Sequence, residues 1–161
     1  MSTLPSIPAD GLKVRDLDAD TQAAIQSSLR SSAALHEFLE LTIEELGHTY
    51  AVLSLPLATN ALNTSRNLHG GAVAALIDVA AGAAAARSEN YDAAQQSLVT
   101  ADLHVRYLRT PRGERVFARA EVLKPGKQLV VLECKVTDSA DQLVASADFS
   151  MMIVPRRGPA R

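Results

Sequence analysis

Apolar positions recur along this chain of 161 residues in two periods, and the switches between them mark out its elements. Before residue 20 there is no period: Pro5, Pro8, Gly11 and mixed charges read as a loose arm. From Asp20 to Phe38, Ala24, Ile25, Leu29, Leu35 and Phe38 fall at roughly helical spacing, with Asp20 or Thr21 as candidate caps. The Ser27-Ser28 and Ser31-Ser32 pairs weaken this helix and leave two short helices as the alternative. From 41 to 57 the period is two, with Thr49, Ala51, Leu53, Leu55 and Leu57 on one face and Tyr50, Val52 and Ser54 on the other. Pro56 marks an edge or the end of that strand.

Gly70 to Ser88 reads as a helix, because nine of the fifteen residues from 72 to 86 are alanine, the best helix former. Small side chains almost all round predict that other elements pack closely on it. Four alternating stretches follow. Val99, Ala101, Leu103, Val105 and Tyr107 share one face, with Thr100, Asp102, His104 and Arg106 on the other. Val116 to Val122, Val130 to Val136 and Leu143 to Ile153 each carry an apolar face at period two. The connections Thr110-Pro111-Arg112-Gly113, Lys124-Pro125-Gly126-Lys127 and Asp138-Ser139-Ala140-Asp141 are short and turn-forming, which predicts an antiparallel meander. The sum is an α+β domain with one long central helix against a curved antiparallel sheet. The expected division is an N-terminal arm and helical segment (1–40), the sheet and helix domain (41–155), and a basic, frayed tail (156–161).

Composition narrows the function classes. Sixteen Lys and Arg stand against eighteen Asp and Glu, a net charge of −2, which argues against a nucleic-acid partner. Cys134 is alone, so no internal disulfide forms, and it reads as a small core residue. The four histidines, His36, His48, His69 and His104, lack metal-ligand spacing, so no metal site is expected. Met1 to Ala9 has neither a basic start nor an apolar stretch, which does not read as a targeting signal. The apolar run from Ala72 to Ala86 falls short of the roughly 20 residues that cross a bilayer. No membrane association and a cytoplasmic location are therefore expected. Asn63-Thr64-Ser65 fits the glycosylation pattern, but without a secretory signal it reads as a chance match.

The chemistry concentrates in Asn63 to Gly71 and the helix that follows. Gly70 and Gly71 open the helix, where the first backbone N–H groups lack partners and a ligand can approach closely. They suit a developing oxyanion; they also suit a tight turn into the helix. Asp78 is the only charge from 72 to 86, and no cation stands three or four residues away. A buried carboxylate is costly unless it is paired, hydrogen-bonded or protonated. It is thus either a structural hydrogen-bonding group or an acid directed at a site. His69 and Asp78 lie about 13 Å and half a turn apart along an unbroken helix. One helix therefore does not easily aim its N-terminal amides and Asp78 at the same carbon. A second, two-fold-related copy supplies the missing partner, making two composite sites per dimer. Thr100 belongs either to a solvated face or to the site as a water-orienting hydroxyl.

Asn63, His69-Gly70-Gly71 and Asp78, at these spacings, resemble the hotdog-fold acyl-CoA thioesterases of the phenylacetate-degradation and 4-hydroxybenzoyl-CoA type. The stretch from Val99 to Leu108 and the run from Val122 to Lys127 are also similar, and the likeness covers roughly 45 to 154. It implies a hotdog fold, a dimer or dimer of dimers, and hydrolysis of an acyl-CoA thioester with no cofactor. By position, Gly70 N–H polarises the thioester carbonyl, with Gly71 beside it at the substrate. Asp78 of the other copy is nucleophile or general base. Asn63 and His69 hold substrate or water, Thr100 orients water, and Lys124 and Lys127 meet coenzyme A phosphates. Two rivals are a hydratase or dehydratase of acyl thioesters, which needs a His paired with an acid, and a non-catalytic acyl-CoA binding module.

Overall fold

A computed structural model describes residues 12–156. The expected arm over 1–11 and the tail beyond 156 lie outside the described residues. The elements in chain order are β1 (Leu12–Lys13), α1 (Ala19–Ser32), α2 (Ala34–Phe38), β2 (Thr42–Leu46), β3 (Tyr50–Pro56), α3 (Gly70–Ala85), β4 (Gln96–Tyr107), β5 (Arg115–Pro125), β6 (Leu129–Asp138) and β7 (Leu143–Pro155). The strands form one antiparallel sheet in the order β1-β2-β3-β5-β6-β7-β4.

The period-two faces are the faces that pack. Ala51, Leu53 and Leu55 of β3, Val116, Ala118 and Ala120 of β5, Val130 to Val136 at alternate positions of β6, and Ala145 to Ile153 at alternate positions of β7 are all buried. Against them lie Val73, Leu76, Ile77, Ala80, Ala81 and Ala84 of α3, each at most 2% exposed. Alanines on this helix let its backbone approach the sheet, and the apolar area removed from water holds the two layers together. Among the described residues, no helix is long and apolar enough to cross a membrane.

Four expectations are corrected. Leu12 and Lys13, expected in the loose arm, pair with Leu46 and Glu45 and extend the sheet. The helical segment is two helices, and the first is capped by Asp18, whose carboxylate accepts from Thr21 N at 2.9 Å, instead of by Asp20 or Thr21. The extended stretch from 41 to 57 is two strands, joined at a turn where Gly47 N donates to Tyr50 O at 2.8 Å. The third correction bears on Pro56 too: β3 ends there, but it lies between β2 and β5 and is no edge.

The fourth concerns the meander. β4 does not pair with β5, the next strand; it pairs with β7 at the sheet edge, and β5 lies beside β3. Turn residues at 110–113 therefore do not close a hairpin. The backbone hydrogen bonds account for this: Leu108 N and Arg109 N both donate to Val144 O of β7, while Leu57 N donates to Glu114 O. Over this connection the chain passes from the sheet edge, past β7 and β6, to β5 in the sheet interior.

That crossover is fastened by Asp138, which is 3% exposed. Its carboxylate accepts from Ala140 N at 2.9 Å, Gln142 N at 3.0 Å and Arg112 N at 2.9 Å. The bonds from Gln142 and Arg112, foremost, hold its pKa below the ordinary 3.8. The stabilisation is present above the ordinary value and is lost as pH falls through the lowered one. Asp138→Asn is expected to melt at a lower temperature at pH 7, with the gap closing as the pH is taken below about 4. Thermal unfolding followed by circular dichroism between pH 7 and 3 checks this, and a gap independent of pH would exclude the carboxylate as its source.

Candidate functional site

The start of α3 is organised by the residues before it. His69 is the N-cap, with extended dihedrals of φ −70° and ψ 129°, and its Nδ1 accepts from Gly71 N at 2.9 Å. Its carbonyl takes Ala72 N at 2.9 Å and Val73 N at 3.2 Å. Of the first four N–H groups of the helix, Gly70 N–H alone has no acceptor among the described residues. With Nδ1 accepting, the neutral His69 ring carries its proton on Nε2.

Asn63 builds the loop that leads to this point. Its side-chain oxygen accepts from Ser65 N at 3.0 Å and Asn67 N at 3.1 Å, a local turn around Arg66, whose φ is +60°. The carboxamide N–H₂ remains free among the described residues. Asn63 and Gly70 open into one cavity of about 460 Å3, walled by Val73, Tyr107, Leu108 and Arg109. The volume is in the range that takes a small organic ligand. Tyr107 is a part of the site that its place in an apolar alternation conceals. Its hydroxyl donates to Gly70 O at 2.9 Å and ties β4 to the first turn of the helix. A Cβ on Gly70 would meet the Tyr107 ring at 3.4 Å, an ordinary van der Waals contact, so the ring lies directly against the start of the helix.

Asp78 lies two turns further along α3 and is half-buried. Its Oδ1 accepts from Thr100 Oγ1 at 2.7 Å, and no second hydrogen bond reaches the carboxylate among the described residues. One oxygen is thus positioned and the other is free.

The contact with Thr100 depends on a β-bulge. In the β4–β7 ladder Thr100 faces Met151 and Asp102 faces Ser150, leaving Ala101 as an extra residue. The bulge corrects the expected faces. Leu98 and Thr100 point to the same side as Leu103, Val105 and Tyr107, toward α3, while Val99, 49% exposed, points away with Asp102, His104 and Arg106. Strict alternation places Thr100 on the opposite side from Tyr107. A one-residue insertion reverses that side and delivers the hydroxyl to Asp78.

The structure therefore gathers the candidates into two groups. Asn63, His69, Gly70 and Gly71 surround the helix start; Asp78 and Thr100 form a second point. Because α3 runs unbroken from Gly70 to Ala85, these points are about 12 Å apart along the axis. Lys124 and Lys127 join neither group, since they lie at the β5–β6 hairpin, exposed to solvent.

Three comparisons bear on this geometry. Residues 66–145 match the family model described as thioesterase superfamily. A candidate esterase of Halobacterium salinarum is 35% identical over 127 residues, covering 77% of this chain and 83% of its own length. The medium/long-chain acyl-CoA thioesterase YigI of Escherichia coli is 34% identical over 96 residues, covering 53% of this chain and 62% of that protein. Among solved structures, a mutant thioesterase of Pseudomonas aeruginosa superposes with a TM-score of 0.76 at 20% identity, over 83% of this chain and 94% of its own. That likeness establishes the fold.

Proposed function

Since the chain belongs to the thioesterase superfamily, we propose that it hydrolyses acyl-coenzyme A to a free acid and coenzyme A, at sites each built from two copies of the chain. The observation that carries the reading is the unpartnered Gly70 N–H at the mouth of a cavity, set about 12 Å from a carboxylate with one free oxygen. A lone donor at a helix start is placed to hold a developing oxyanion, and the helix dipole adds to its effect. The carboxylate does not reach that point from its own chain. In an antiparallel pair of α3 helices, Asp78 of the second copy faces Gly70 of the first.

Two routes use the same parts. As general base, Asp78 takes a proton from water as its oxygen attacks the thioester carbon. The carbonyl oxygen becomes an oxyanion at Gly70 N–H, then collapses and expels the thiolate, which takes the proton. As nucleophile, Asp78 forms an acyl anhydride with loss of the thiolate, and water hydrolyses it. Thr100 positions the carboxylate in both routes. Asn63, through its free N–H₂, and His69, through Nε2–H, supply further donors to substrate or water, and Gly71 leaves room beside them. Neither route requires a metal or redox step. Edge strand β4 is the natural seam for the pair, being twelve residues long with Val99 and Tyr107 exposed. Such an edge invites pairing with another strand. A homodimer, or a dimer of dimers, is the assembly the proposal requires.

A hydratase would pair a histidine with an acid at the reacting carbons. His69 instead spends Nδ1 on Gly71 N, and no carboxylate bridges it among the described residues.

A panel of acyl-coenzyme A thioesters, assayed with a thiol reagent, tests the reading. The background is low, because burial pushes the single cysteine, Cys134, up to about 12 and keeps its thiol protonated. At least one acyl group should release coenzyme A catalytically. Binding without thiol release across the panel would favour a non-catalytic module.

A further inference from the structure

The far end of α3 carries a second built feature, remote from the helix start. Arg87 Nε and Ser88 Oγ are the two fully buried side-chain polar atoms, among the described residues, without a hydrogen-bond partner. Such groups are rare and each costs free energy comparable to a lost hydrogen bond. The two are adjacent in sequence and line the same cavity of about 200 Å3, with His48, Thr49, Glu89 and Pro125. Ser88 is only 9% exposed. The walls are held by the backbone: Arg87 N donates to Ala84 O at 3.0 Å, Ser88 N to Ala85 O at 2.9 Å, and Asn90 Nδ2 to Pro125 O. The last of these bonds pins the loop to the β5–β6 hairpin that carries Lys124 and Lys127. A cation beyond a helix C-terminus is favoured by the dipole. That does not explain a buried guanidinium N–H with no acceptor.

We propose that Arg87, Ser88 and His48 form a receptor for a phosphate group. A guanidinium fork, a hydroxyl and an imidazole are donors of the type that hold a phosphate oxyanion, and Arg favours such planar, charged recognition. Lys124 and Lys127 lend positive charge from the neighbouring hairpin. Glu89 is the one carboxylate on the lining and opposes the anion. The volume decides the size of the occupant: it is below the range that encloses a whole small-molecule ligand, but it admits a single phosphate. The phosphate comes either from the nucleotide end of coenzyme A or from a free phosphate. The first source rests on the acyl-coenzyme A reading. It is compatible with the helix, because Ala85, where α3 ends just before Arg87, lies about 10 Å along the axis beyond Asp78, so the receptor lies further along the direction an extended pantetheine arm would take.

The test uses the full chain, with Arg87→Gln, Ser88→Ala and Glu89→Gln, and two readouts. The first is thermal unfolding in inorganic phosphate against chloride at matched ionic strength. The wild type is expected to melt about 3 °C or more higher in saturating phosphate. That shift should vanish in Arg87→Gln, shrink in Ser88→Ala and grow in Glu89→Gln. The second is kcat/KM for an acyl-coenzyme A divided by that for the same acyl group on N-acetylcysteamine, which has no phosphate. A fall of about tenfold in this ratio in Arg87→Gln, the worth of one charged hydrogen bond, assigns the phosphate to coenzyme A. Stabilisation by phosphate with an unchanged ratio supports the receptor and assigns it to a free phosphate. No phosphate stabilisation of the wild type, together with a ratio untouched by either Arg87→Gln or Ser88→Ala, overturns the proposal. Should the wild type hydrolyse no thioester, the acyl-coenzyme A reading fails, and the unfolding readout still decides the receptor. Ser88→Ala removes the hydroxyl with almost no change in volume, so the test survives a poorly folded Arg87 variant.

Discussion

Asp78→Asn is expected to lower kcat about a thousandfold while the melting temperature stays close to that of the wild type. The size follows from the chemistry, since a positioned base or nucleophile contributes on the order of 10²–10⁴ to such a reaction. The amide has the carboxylate's shape, and its oxygen still accepts from Thr100 Oγ1, now 2.7 Å from Asp78 Oδ1. Its neighbours one turn away in α3, Ala74, Ala75, Ala81 and Gly82, are all small. What the amide cannot do is take a proton from water at neutral pH or attack a thioester carbon. Stopped assays with a good acyl-coenzyme A substrate, run beside thermal unfolding, measure both halves of the expectation. Turnover within a few-fold of wild type would remove Asp78 from the chemistry. A large loss of stability would instead make its hydrogen bond to Thr100 a structural one.

Asp78 can be picked out from sequence because its surroundings are local. A single acid among alanines, with no cation at 74, 75, 81 or 82, stands out without any knowledge of the fold. The same is true of the buried faces of β3, β5, β6 and β7, since period-two alternation reports which side of a strand packs. Alternation says nothing about which strands are neighbours, and this is why the pattern predicts β4 beside β5. It also assumes an unbroken count, which the extra residue at Ala101 violates. Thr100 is therefore visible as a candidate, but its direction toward α3 is not. Tyr107 is hidden for the opposite reason: it sits in phase with Leu103 and Val105 and passes for an apolar position, although its hydroxyl serves Gly70 O. The helix cap slips by two or three residues because Asp18, Asp20 and Thr21 are all good capping types, and only the path of the chain selects Asp18. The pairing of Arg87 with Ser88 at a cavity has no sequence signature, because it depends on a hairpin 35 residues downstream folding over the loop after α3.

The shared site makes the sharpest prediction, through two inactive variants mixed together. Gly70→Pro deletes the unpartnered N–H and little else. Proline is favoured at the first position of a helix. His69 before it already has the extended dihedrals, φ −70° and ψ 129°, that a residue preceding proline adopts. Losing one oxyanion donor costs about 10²–10³ in kcat, so this variant and Asp78→Asn are each expected to be nearly inactive as homodimers. Refolding them together at equal concentration gives dimers of which about half are mixed. In each mixed dimer one site holds Gly70 of the first chain and Asp78 of the second, both intact, while the other site has lost both. The mixture is therefore expected to recover about a quarter of wild-type activity. If Gly70 and Asp78 served one reaction within a single chain, every site in the mixture would still carry a lesion, and activity would stay at the level of the parents. The recovered fraction thus measures directly whether the distance of about 12 Å between the two points is closed by a second copy.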